Sequence, residues 1–133
     1  MKKKLLLLIP CVIGLNVHAA SVNVTSSANY IEAGNRVTFY VNMRDVASWD
    51  LQGNGYGATS NCSLGDKGSD DSGTGENTNK TLSVTCTSTS VGQIGFSVTG
   101  NVSSVNSDKI DTINVNTSKI VTVTAPREKD TNN

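Results

Sequence analysis

From residue 20 onward the chain alternates apolar with hydroxyl or amide side chains at a period of two, and that alternation limits what it can fold into. Val22 and Val24 stand among polar neighbours. Val37, Phe39 and Val41 interleave with Thr38, Tyr40 and Asn42, and Leu82, Val84 and Cys86 with Ser83 and Thr85. Ile94, Phe96 and Val98 follow, then Ile113 and Val115, then Val121 and Val123 beside Thr122 and Thr124. Successive residues of a strand point to opposite faces, so each segment has one apolar and one hydroxyl-rich side. No useful window carries apolar residues at the three-and-four spacing of a helix. Ser, Thr and Asn make up about a third of the chain, well above ordinary usage, and these residues compete for backbone hydrogen bonds inside helices.

The pattern predicts strands at 21–25, 36–43, 47–52, 80–88, 93–99, 109–115 and 119–124. Turn-forming clusters lie at Glu32-Ala33-Gly34-Asn35, Gly53-Asn54-Gly55, Gly73-Thr74-Gly75 and Gly100-Asn101. Residues 64–79 lack periodicity and read as a long surface loop, preceded by a short edge strand near Ser60 to Leu64. Short strands with frequent turns imply an all-β antiparallel sandwich of about seven strands. Phe39, Phe96 and Trp49 are its expected core, Trp49 because it shares a face with Leu51. Pro126 cannot donate to a ladder and ends the last strand. Residues 127–133 read as a polar disordered tail or linker.

Residues 1–19, MKKKLLLLIPCVIGLNVHA, have the basic start, short apolar run and small-residue end of a secretory signal peptide. Cleavage is expected after Ala19, with Ala20 the second choice, leaving a folded domain over 20–126. The apolar run is too short to span a bilayer, and Pro10 before Cys11 argues against a lipidated cysteine. The full chain carries 11 basic and 11 acidic residues. Losing Lys2, Lys3 and Lys4 leaves a net charge of −3. Without clustered Lys and Arg, nucleic acid and anionic membrane are poor partners.

Export leaves two cysteines, Cys62 and Cys86, an even count in an oxidising compartment, and predicts a structural disulfide. The sole histidine, His18, leaves with the signal, taking the usual general base and histidine metal ligand with it. Asp66, Asp70, Asp71 and Glu76 crowd one stretch without matching a calcium-loop spacing. A carboxylate pair such as Asp50 and Asp111 would need a cleft that a domain this size rarely has. No catalytic residue, metal or cofactor is therefore expected. Tyr40, on the register opposite Phe39, and Tyr56, in the glycine-rich stretch 53–57, are the candidate ligand contacts, with Tyr30 a further exposed aromatic.

Several stretches resemble one family. Tyr30-Ile31-Glu32-Ala33-Gly34-Asn35-Arg36-Val37-Thr38 is similar to the second-strand entry, V-x-x-G-x-x-V-T, of immunoglobulin-like β-sandwich modules in Gram-positive surface and secreted proteins. Some of those modules are related in shape to cohesin domains. Ala47-Ser48-Trp49-Asp50-Leu51 resembles their third strand, and Ile94 to Gly100 and Lys119 to Thr124 resemble later ones. Trp49 precedes both cysteines, whereas antibody domains place it between them. The resemblance implies an Ig-like fold, a secreted or cell-surface setting in a Gram-positive bacterium, and a non-catalytic role as spacer or protein-interaction domain. An unidentified extracellular protein is the implied partner, and a wall or host glycan is the alternative. N-terminal sequencing of the secreted protein is expected to begin at Ala20; a start at Met1 would refute the signal.

Overall fold

The alternation folds as eight strands in two sheets, with no helix among the described residues. The computed structural model describes residues 19–69 and 77–127. The strands are β1 (Ser21–Ser26), β2 (Tyr30–Glu32), β3 (Arg36–Val46), β4 (Ser48–Gly57), β5 (Ser63–Ser69), β6 (Thr78–Thr87), β7 (Gly92–Asn106) and β8 (Lys109–Thr124). One sheet has the order β1-β3-β6 and the other β2-β8-β7-β4-β5. All pairings are antiparallel except β2 with β8. The apolar faces of the two sheets pack together, as a sandwich requires.

The core is mainly aliphatic around one aromatic pair. Val37, Phe39, Val41 and Met43 from β3 meet Ile94, Phe96, Val98 and Val102 from β7, with Leu51, Val121 and Val123 completing the layer. At the centre the Phe39 and Phe96 rings stack across the two sheets, 5.2 Å between centroids and 16° from parallel. Trp49 lies at the margin. It is buried, donates its indole N–H to Asp66 at 2.5 Å, and has Lys80 Nζ 5.5 Å from its ring centroid. Since β5 and β6 belong to different sheets, the indole closes the open side between them.

Gly53-Asn54-Gly55, expected as a turn, is the body of β4. Gly53 and Gly55 continue the inward register of Trp49 and Leu51, and both lack a Cβ for a reason. A Cβ on Gly53 would stand 2.6 Å from the Phe96 ring, and one on Gly55 would overlap Cys62 Sγ. Cys62 and Cys86 are bonded, with their Cα atoms 5.4 Å apart, and the bridge ties the β4–β5 connection to β6 in the other sheet.

Further differences from the sequence reading have local causes. The expected loop 64–79 begins with β5, which pairs with β4 from Ser48↔Ser69 to Asn54↔Ser63. Its glycines and charges hid it, for its inward register is Leu64, Asp66 and Gly68, with Asp66 bonded to the Trp49 indole and Gly68 lying under it. Gly73-Thr74-Gly75 falls outside the described residues. Gly100-Asn101 lies within β7 opposite Leu51 and Asp50, and the reversal is instead made by Ser107-Asp108, Ser107 having φ 58°. The strands expected at 109–115 and 119–124 are one strand, and Tyr30–Glu32 forms a short strand beside its end. Strand β3 runs past Met43 through a bulge at Arg44-Asp45, where Asp45 has φ 55° and its N–H donates to Asn79 Oδ1 at 3.0 Å.

Gly55→Ala is expected to be severely destabilising, because its methyl group and the bridge cannot share one place. Reducing the bridge alone should lower stability by roughly 3 kcal/mol on loop-closure reasoning. Urea unfolding followed by Trp49 fluorescence, with and without reductant, measures both.

Candidate binding surface

Each sheet turns one register inward and presents the other to solvent, and the two outer faces differ. On the three-stranded sheet the outward side chains bond to one another. Asn42 Nδ2 donates to Thr25 Oγ1 at 3.1 Å, Thr81 Oγ1 donates to Asn42 Oδ1 at 3.2 Å, and the Thr38 and Thr85 hydroxyls lie 2.9 Å apart. Tyr40 stands in the middle of this lattice, 36% exposed. A face whose polar groups already satisfy each other has fewer donors and acceptors free for a ligand.

The outer face of the five-stranded sheet is polar over most of its length, with rows such as Asn54–Ser97–Ser118 and Gln52–Thr99–Asn116. Its character changes at one end. Tyr56 on β4, Gly95 on β7 and Ile120 on β8 form one row across the sheet. The Tyr56 ring lies over Gly95, in the space a Cβ there would occupy. The next row holds Gln93, Thr122 and Tyr30. Tyr56 is 49% exposed, Ile120 48% and Tyr30 71%. With neighbouring strands about 4.8 Å apart, Tyr56 and Ile120 sit about 10 Å apart, bridged by the ring. The result is an apolar shelf of two phenols and an isoleucine on a rigid ladder. Exposed tyrosines of this kind combine large contact area with a hydrogen-bonding tip.

The two tyrosines singled out from sequence are thus on opposite outer faces and cannot serve one site. Tyr56 lies within a strand and not in a turn. Phe39, Phe96 and Trp49 are buried, and Cys62 and Cys86 are joined to each other. Asp50 points outward from β4, whereas Asp111 is on the inward register of β8 and accepts from Asn106 Nδ2 at 2.7 Å. The pair cannot share a substrate. Asp66 is engaged by Trp49; Asp70, Asp71 and Glu76 lie outside the described residues. Ile120 was missed, although its signal is readable: an isoleucine on the hydroxyl register, next to Val121, breaks the alternation. Gly95 could not be found that way, because its role depends on which strand lies beside it.

No family model matches the chain and no curated protein matches its sequence. Among solved structures it is similar to the CARDB domain of a Pyrococcus furiosus protein, determined in complex with di-metal ions. The TM-score is 0.51 at 12% identity, covering 81% of this chain and 94% of that one. That likeness concerns the fold alone. The chain is an immunoglobulin-like β-sandwich.

The Gly95 Hα protons, lying under the Tyr56 ring, are expected to resonate upfield of ordinary glycine values. Tyr56→Leu should abolish that shift, and Gly95→Ala should displace the ring at a cost of about 1 kcal/mol. Two-dimensional NMR and thermal unfolding check the two effects.

Proposed function

We propose that this chain is an exported, non-catalytic Ig-like module that binds an extracellular protein through the Tyr30–Tyr56–Ile120 end of its five-stranded sheet. The observation that carries the reading is the alignment of three exposed side chains, Tyr30, Tyr56 and Ile120, at one end of a face whose middle rows are polar. A rigid aromatic cluster ringed by polar groups is how interaction hot spots are built. Export is supported by the basic-apolar-small N-terminal pattern and by a bridge that persists in oxidising compartments. Ala20 packs in the core cluster, which favours cleavage after Ala19 over cleavage after Ala20. The Gram-positive surface setting belongs to this proposal and rests on the sequence resemblance. The di-metal ions of the Pyrococcus domain are not carried over, since only the fold is shared.

The polar rows beside Tyr56 favour a second reading, in which the phenol ring stacks on a sugar and Asn54 and Gln52 meet its hydroxyls. Binding to whole cells and extracellular matrix, before and after protease or glycosidase treatment of those surfaces, separates the two. Protein recognition predicts protease-sensitive binding that weakens at least about tenfold in Tyr30→Ser/Tyr56→Ser, while Tyr40→Ser binds as the wild type does. Glycosidase-sensitive binding lost in Tyr56→Ala would establish the sugar reading. Binding indifferent to both tyrosines would refute both.

A further inference from the structure

The longest strand has its outer edge open. Strand β8 pairs with β7 along its full length, from Asn106↔Lys109 to Gly92↔Val123, without a bulge. On its other side β2 covers only Thr122–Thr124, and Asn29 accepts the Thr122 N–H at 2.9 Å. Among the described residues no strand hydrogen-bonds to the outer edge of Lys109–Ile120, although β1 of the other sheet passes close to β8. This segment contains neither proline nor glycine, the residues that commonly interrupt a strand.

The turn fixes the phase of the open edge. The two-residue turn Ser107-Asp108 makes Asn106 and Lys109 a hydrogen-bonded pair, so odd-numbered residues of β8 direct N–H and C=O to β7. Even-numbered residues direct theirs outward, as Thr122 does toward Asn29. Ile110, Thr112, Asn114, Asn116, Ser118 and Ile120 therefore offer an unbroken row of backbone donors and acceptors.

The sequence of this edge is complementary to itself. Reversed about Val115, Asn114 falls opposite Asn116, Ile113 opposite Thr117 and Thr112 opposite Ser118. Asp111 falls opposite Lys119, and Ile110 opposite Ile120. Every pair joins residues of one face, and every even-numbered pair joins two outward-directed backbones. Opposite charges and apolar pairs across strands are stabilising, whereas like charges directly opposed are not. The neighbouring registers fail. Reversal about Asn114 sets Lys109 against Lys119 and Ile110 against Ser118, and reversal about Asn116 needs Thr122, which β2 already occupies. Ile110 is 66% exposed, and this pairing is what would cover it together with Ile120.

We propose that two copies of the chain associate through β8, antiparallel about a two-fold axis at Val115, merging their five-stranded sheets into one continuous sheet. The contact is isologous, the same edge serving both partners, and the main chain supplies affinity as in other strand additions. It would contribute about twelve intermolecular backbone hydrogen bonds and two Asp111–Lys119 pairs. The inference concerns the strand edge and does not rest on the two tyrosines, although Ile120 belongs to both surfaces.

Sedimentation velocity of the purified protein from micromolar to submillimolar concentration is the test, with a dimer expected at the upper end. Lys119→Asp sets carboxylates against each other and Asp111→Lys sets ammonium groups against each other. Each should weaken association about tenfold, and the double exchange should restore it. Asn114→Pro removes an N–H that faces the open edge and bonds nothing within β7–β8. It should give a monomer whose circular dichroism melt matches the wild type. If Asn114→Pro fails to fold, the charge exchange still decides. A wild type that stays monomeric throughout, or a dimer indifferent to all of these changes, overturns the proposal.

Discussion

The stack of Phe39 on Phe96 is the contact around which the two sheets are arranged. The chain has two phenylalanines, and each sheet supplies one, so the largest fully buried side chains meet at its centre. Two sheets about 10 Å apart leave room for such a pair only if something opposite gives way. Gly53 is what gives way, its missing Cβ letting the Phe96 ring lie against β4. Two residues on, Gly55 makes the same concession to the Cys62–Cys86 bridge. The inward face of β4 therefore steps down from Trp49 and Leu51 to two glycines, and the bulk missing there is supplied by a ring from β7 and by two sulfurs.

That arrangement explains how a domain with few aromatic residues holds two sheets together. Small domains bury a smaller share of their surface, and exported ones commonly add a covalent tie. Here the tie runs between the sheets, next to the aromatic stack. Trp49 works at the opposite margin, where its indole is held by Asp66 on one side and faces Lys80 on the other.

The period-two pattern made the sandwich, its apolar register and the cysteine pair legible in the sequence, because each depends on local alternation or on parity. What stayed hidden depends on a neighbour. Gly53 and Gly55 look like a turn to anyone who cannot see Phe96 and the bridge beside them. Strand β5 shows little apolar alternation in sequence, since its inward register is filled by Leu64, Asp66 and Gly68, of which only Leu64 is apolar and large. Tyr30 and Tyr56 were visible as exposed aromatics, but only the register of β4, β7, β8 and β2 puts them on one face with Ile120. Tyr40 reads the same way in one dimension and belongs to a different face in three.

The outward register of β8 obeys a rule the core does not explain. On its inward register Val115, Val121 and Val123 are buried, while Asp111 and Ile113 toward the turn are not. On the β8 side the hairpin thus runs on beyond what the core uses, although Val102 and Ser104 opposite on β7 are buried, and Asn77 braces it just beyond the start of β4, its side-chain amide bonding both the N–H and the C=O of Val105 at 2.9 and 3.0 Å. Ordering this end costs about 1–2 kcal/mol of backbone entropy per residue, and on β8 the side chains Asp111 and Ile113 bury little to offset it. Its outward isoleucines, Ile110 and Ile120, are the two apolar residues on a register otherwise given to Thr, Asn and Ser. They stand equally far from Val115 along the strand. A strand end whose own side chains bury little, and whose outward isoleucines are spaced symmetrically about Val115, is better suited to meeting a second copy of itself than to filling the sandwich.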